Sequence, residues 1–224
     1  MKKIGVVLVA AIALLVASCS NGGIQDKDPA VGKGATAWNL RGPSAANAYW
    51  SEIKDSSKKK KYLNYITLYN AGVKALDSTD GVKASNESKL LSSCNTALAK
   101  FNAIDPNLKL PADVCAKGAK LSAGRIDKLL AAEKVSEATK MYNTSMKVYQ
   151  KHNSLTTVGK EVEICNQINN KKSALFAQAD KASKIENFDA KIAAYDSVIA
   201  SCPSIEAEVN SIVKNSGLSD TAGV

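Results

Sequence analysis

Tyr62, Ile66, Tyr69, Val73 and Leu76 stand at successive intervals of 4, 3, 4 and 3 residues. On an α-helix that spacing brings all five side chains to one face; on a strand it scatters them over both. The same intervals recur in Leu90, Cys94, Ala97, Phe101 and Ile104, and again in Cys115, Ala119, Ser122, Ile126 and Leu129. Further segments keep the helical period. They are Val135, Ala138, Tyr142 and Tyr149; then Val158, Val162, Cys165 and Ile168 running on to Ala182; then Phe188, Ile192, Tyr195 and Ile199; then Ile205, Val209 and Ile212. Links rich in Pro, Gly, Asn or Ser separate them, such as Asp105-Pro106-Asn107. The sequence therefore predicts an all-α fold of antiparallel helical hairpins, stacked as a bundle or a short solenoid.

Local chemistry refines the boundaries. Pro111 suits a helix start, where its missing N–H is not needed. Ser44 suits the cap of a first turn bearing Tyr49, Trp50 and Ile53. Lys58, Lys59, Lys60 and Lys61 break the phase between Ile53 and Tyr62. Cations oppose the positive end of a helix dipole, so one helix continuing or bending through the lysines is expected, not one starting beside them. Pro203 is expected to end a helix over residues 188–200 before a short one over 205–213.

The chain opens with Lys2 and Lys3, an uncharged apolar run over residues 4–17, and then Ser18 and Cys19. That run falls short of the roughly 20 residues of a bilayer-spanning helix and suits the apolar core of an export signal. The stretch Val16-Ala17-Ser18-Cys19 resembles the lipobox of bacterial lipoproteins. The resemblance implies cleavage before Cys19 and acyl chains on its thiol and new amino terminus. With Ser20 next rather than an aspartate, it also implies export to the outer membrane. Each buried CH₂ contributes about 0.8 kcal/mol, so several chains anchor firmly where one does so only marginally.

Residues 1–18 are accordingly read as signal peptide, 19–43 as lipidated N-terminus and flexible tether, 44–215 as the helical domain, and 216–224 as a disordered tail. The Gly-, Pro- and polar-rich composition of SNGGIQDKDPAVGKGATAWNLRGP supports a tether. Its GKGAT lacks the order of a phosphate-binding loop. Trp38 is out of place in a spacer and is expected to dock on the domain.

The formal net charge is +9, and Lys2 and Lys3 leave with the signal. The remaining basic residues are spread along the chain, mostly as lysine rather than the arginine that favours bidentate phosphate contacts. No nucleic-acid partner is expected. Of five cysteines, Cys94, Cys115, Cys165 and Cys202 follow Cys19. An even number in an exported chain suggests two disulfides. If the segments flanking residues 183–187 form an antiparallel hairpin, Cys165 and Cys202 come near one another, and Cys94 pairs with Cys115 by elimination. Without a C-x-x-C there is no indication of zinc or of a redox pair.

The stretch ENFDAKIAAYDSVIASCPS, residues 186–204, resembles the second half of a tetratricopeptide repeat. Phe188 stands at the aromatic of the inter-helix turn, Tyr195 at the core aromatic, Val198 at a small-residue position and Pro203 at the terminal proline. Lys191 departs from the family, which prefers alanine there. ALAKFNAIDPN and VSEATKMYNTSMKVYQ match more loosely. The resemblance implies stacked helix pairs and a groove that binds peptides or proteins.

Chemistry leaves little trace. His152 is the sole histidine, in YQKHNS, with no Ser-His-Asp or Cys-His arrangement around it and no second histidine for a metal. Glu161 and Glu163 sit two apart and point different ways on a helix. No catalytic residue, metal or cofactor is expected. Seven tyrosines stand beside three phenylalanines, and amphipathic aromatics line partner-binding surfaces. Trp50, Tyr62, Tyr69, Tyr142 and Tyr195 are the candidate partner-binding residues. Two functional classes follow: a lipid-anchored, non-enzymatic module that binds a protein or peptide, or a surface-exposed structural lipoprotein or adhesin that meets host or matrix molecules.

Overall fold

The computed structural model describes Ile24 and residues 26–215. The lipobox-like segment, Cys19 and the tail expected over 216–224 lie outside the described residues. Among the described residues there are eight α-helices, one 3-10 turn and no strand, which is the all-α class expected from the spacing. The helices are α1 (Pro29–Arg41), α2 (Pro43–Ser51), α3 (Ser56–Asp77), α4 (Glu87–Asn102), α5 (Ala112–Ala131), α6 (Val135–Val148), α7 (Thr156–Ser183) and α8 (Phe188–Asn215), with the turn Asn153–Leu155 before α7. The helices fall into two compact units, divided inside α5 after Cys115. Neighbours in sequence pack together: α1 on α2, α2 on α3 and α3 on α4 in the first unit, α6 on α7 and α7 on α8 in the second.

The first unit corrects the tether reading. Residues 29–41 are a helix because Asp28 caps it, its side chain accepting from Ala30 N at 3.0 Å, and Pro29 fills the first turn. Gly42, at φ 91°, reverses the chain before Pro43 starts α2. Gly34 lets α1 settle onto the Trp50 indole, which a Cβ at that position would strike. Trp38 does dock, 1 % exposed, and its Nε1 donates to Lys109 O at 2.8 Å. Asn39 adds two bonds: its Nδ2 donates to Asn107 O at 2.9 Å and its Oδ1 accepts from Lys109 N at 2.8 Å. Composition missed α1 because its apolar face is made largely of small residues, Gly34, Ala35 and Ala37 among them.

The lysine run also behaves differently from the expectation. α3 begins at Ser56, directly before the lysines. Asp55 caps it, accepting from Lys58 N at 2.9 Å, and the Lys58 ammonium pairs with Asp26 at 2.7 Å. Two carboxylates thus offset the cations that would oppose the dipole. Farther along, Tyr62, Tyr65, Gly72 and Leu76 are buried, and Gly72 admits the Phe101 ring of α4. Cys94, Ala97, Phe101 and Ile104 are buried as their spacing requires.

In the second unit two glycines let aromatic rings approach a helix backbone. Gly118 of α5 meets the Tyr149 ring and Gly159 of α7 meets Tyr142. His152 proves to be a cap: its Nδ1 accepts from Ser154 N at 3.2 Å at the head of the 3-10 turn. α7 and α8 form a hairpin of two 28-residue helices. α8 runs unbroken through Pro203, so the two short helices expected on either side of it are one. An interior proline removes one hydrogen bond and crowds the previous turn. Packing along α7 on both sides of Pro203 holds the helix together. The least exposed residues of α8 fix that contact face: Lys191, Ala194, Val198, Ser201, Ile205, Val209 and Ile212.

Candidate interaction surface

α8 presents two apolar faces, and the bulkier one is not against α7. Phe188, Ile192, Tyr195 and Ile199, the stripe expected to form core, are 72 %, 45 %, 38 % and 65 % exposed. Cys202, one further step along the same spacing, is exposed too. At 100° per residue this stripe is centred about a quarter turn from the contact face. Small side chains such as Ala194 and Ser201 serve the hairpin better because they allow close approach of the helix axes. Spacing alone could not choose between two apolar faces on one helix. Of the residues that carry the tetratricopeptide resemblance, Phe188 and Tyr195 are exposed and Pro203 lies inside the helix.

The candidate partner-binding aromatics are divided by burial. Trp50 and Tyr62 are 0 % and 4 % exposed and belong to the core of the first unit. Trp50 stacks at 5.6 Å on Trp38 and 5.4 Å on Tyr62, and its Nε1 donates to Val31 O at 3.3 Å. Tyr69 is half-buried, its ring 5.8 Å from Trp38 and 6.2 Å from Phe101. Tyr142 is half-buried against Gly159. Trp50 and Tyr62 are thus packed inside the first unit, whereas Tyr69 and Tyr142 keep part of their surface in solvent. Tyr195 alone is an exposed member of the set.

No disulfide joins cysteines among the described residues. Cys94 and Cys115 are buried, Cys165 is half-buried and Cys202 is exposed. The Cys202 thiol donates instead to Val198 O one turn back, at 3.5 Å, and that of Cys115 to Leu110 O at 3.8 Å. The expected pairing of Cys165 with Cys202 fails on register. Ile164 and Gln167 of α7 share a hollow with Ser211 and Ile212 of α8, and Lys171 pairs with Glu208. That places Cys165 across from residues near 212, so Cys202 lies about 15 Å closer to the link at 1.5 Å per residue. A disulfide needs Cα atoms about 4.4–6.8 Å apart. The slack expected at a helix end by Pro203 does not exist, since the helix continues. The pairing of Cys94 with Cys115, reached by elimination, falls with it.

Three acidic groups of the second unit influence one another. Burial raises the pKa of Asp127; burial, then the charge of Asp127, raises Glu161; burial, then Glu161, raises the Cys165 thiol. No histidine joins them, and no group of three or more metal-ligating side chains occurs among the described residues. A shallow hollow of about 520 Å³ between α6 and α7 is lined by Thr139, Asn143, Thr144, Asn166 and Asn169 among others, with Asn166 Nδ2 donating to Thr139 Oγ1 at 2.9 Å. No described helix is long and apolar enough to cross a membrane. No known family, curated protein or solved structure matches this chain.

Proposed function

We propose that this is a lipid-anchored envelope protein, held through acyl chains on Cys19 at the outer membrane, that works by binding another protein or peptide and performs no chemistry of its own. The observation that carries the binding half of this reading is the exposed stripe Phe188, Ile192, Tyr195 and Ile199 on α8. Four large apolar side chains in one line on a soluble face are a recognition surface by their energetics, because each exposes area that association would remove from water. The anchoring half rests on the order of basic residues, apolar run, small residues and cysteine in the first nineteen positions.

Intact-mass measurement on the membrane fraction tests the anchor. Loss of residues 1–18 with added acyl mass is expected, and Cys19→Ser should release the protein from the membrane; full retention of that variant would refute anchoring. Crosslinking in intact cells tests the surface. A partner lost on Ile199→Lys supports it, and partners unaffected by that change refute it.

A further inference from the structure

We infer that the exposed stripe of α8 is a seam for a second copy of this chain, running parallel to the first in a short two-stranded coiled coil. The inference rests on the protein-binding reading above and names its partner. Phe188, Ile192, Tyr195, Ile199 and Cys202 fall at alternating steps of 4 and 3 residues, which are the d and a positions of two successive heptads. The stripe is continuous along one exposed helix and ends where the next a position is the charged, exposed Glu206.

The flanks say which partner fits. With Ile192 and Ile199 at a, the half-buried Lys191, at the edge of the face that meets α7, takes a g position, and Asp189 and Asp196 take e positions. In a parallel pair, a g side chain reaches the e side chain five residues later on the opposite helix. Lys191 of each copy then meets Asp196 of the other, giving two symmetric ion pairs. An antiparallel pair would set e against e and g against g, aspartate on aspartate and lysine on lysine. Neither Lys191 nor Asp196 is held in an ion pair among the described residues. The same arrangement puts Cys202 at a d position facing its counterpart.

The surface available sets the strength. Taking about 200 Å² for a fully exposed side chain of this size, the four large residues leave about 400 Å² of apolar surface per copy. A standard interface buries about 800 Å² per partner, so the seam with its polar flanks makes a modest, concentration-dependent dimer. Anchoring both copies in one membrane would raise their local concentration.

The test mixes purified full chain with isotope-labelled full chain, then treats the mixture with a short bis-maleimide and maps the crosslinked peptides. Sedimentation of the untreated protein follows the association itself. Heavy-to-light Cys202–Cys202 peptides are expected, rising with concentration over roughly 1–100 µM, and Ile199→Lys should lower their yield by about tenfold. Lys191→Asp should weaken association and adding Asp196→Lys should restore it, because the pair is re-formed with its signs exchanged. Unchanged circular dichroism and tryptophan emission will show that each variant folds. A chain that remains monomeric at the highest concentration overturns the proposal, as does failure of the charge exchange to restore association. Monomers that bind phospholipid vesicles through Ile199 also overturn it. So does capture of a different protein by a monomeric chain, although that result would leave the protein-binding reading standing.

Discussion

Gly34→Ala should destabilise the first unit although alanine is the better helix former. The position lies inside α1, where replacing glycine by alanine gains about 1 kcal/mol of helix propensity. The new methyl, however, falls on Nε1, Cδ1 and Cε2 of Trp50. That indole has no room to yield: it is 0 % exposed and held between Trp38, Tyr62 and Tyr65 at ring distances of 5.6, 5.4 and 6.4 Å. Overpacking of this kind costs typically about 1–3 kcal/mol, and loss of the Trp50–Val31 hydrogen bond adds about 1 kcal/mol or more for a buried N–H left unmatched. The net effect is about 2 kcal/mol of destabilisation. With a slope of about 2 kcal/mol per molar urea, the midpoint should fall by about 1 M. Both tryptophans lie in the first unit, so tryptophan emission reads that unit directly. Gly124→Ala supplies the contrast, since nothing lies within 4 Å of its Cβ position in α5; it should stabilise by about 1 kcal/mol through propensity alone. Equal or raised urea resistance of Gly34→Ala by tryptophan emission would refute the packing of α1 on Trp50.

The other predictions concern charge, thiols and one buried hydroxyl. The Asp26 carboxyl is held below its ordinary value of 3.8, first by the Asp28 backbone N–H and then by Lys58. A lowered folded pKa stabilises above the unfolded value and is lost as pH falls through the folded one. Asp26→Asn should therefore melt below the wild type at pH 7, and the gap should narrow as pH falls below that ordinary value and close at strongly acid pH; a gap that persists there would refute the pairing. Lys58, raised above 10.5 chiefly by its bond to Asp26, should lose its contribution only at strongly alkaline pH. In native protein a thiol reagent should label Cys202 first and Cys165 more slowly, and reach Cys94 and Cys115 only on unfolding. Recovery of a linked Cys165–Cys202 peptide would contradict the hairpin register. Ser145 Oγ is buried in α6 without a hydrogen-bond partner, so Ser145→Ala should be neutral or stabilising by up to about 1 kcal/mol in thermal melts.

Where one apolar face dominated a helix, the sequence was legible. The stripes of α4 and α5 follow from spacing alone. Trp38 announced its own burial, since a large indole in a polar stretch has little reason to stay in water. What spacing could not resolve was a choice between faces. α8 has a contact face rich in small side chains and an exposed face of bulky ones, and size pointed to the wrong one. α1 was obscured for a related reason, because Gly34, Ala35 and Ala37 pack tightly while contributing little hydrophobicity. The start of α3 depended on Asp55 and Asp26, one adjacent to the lysines and one about thirty residues earlier. The second of these is a tertiary partner that no local window contains.

The folding of α1 also sets how far the protein can stand from its anchor. Had residues 20–43 been free chain, they could have spanned about 80 Å when extended. With Asp28 already capping a docked helix, the spacer from Cys19 is nine residues long, and its full contour is about 30 Å. On the lipid-anchored reading, the first unit is therefore leashed near the bilayer surface rather than carried across the space beyond it. Lengthening the spacer by inserting flexible residues between Cys19 and Asp28 would change that reach without touching any residue of the fold.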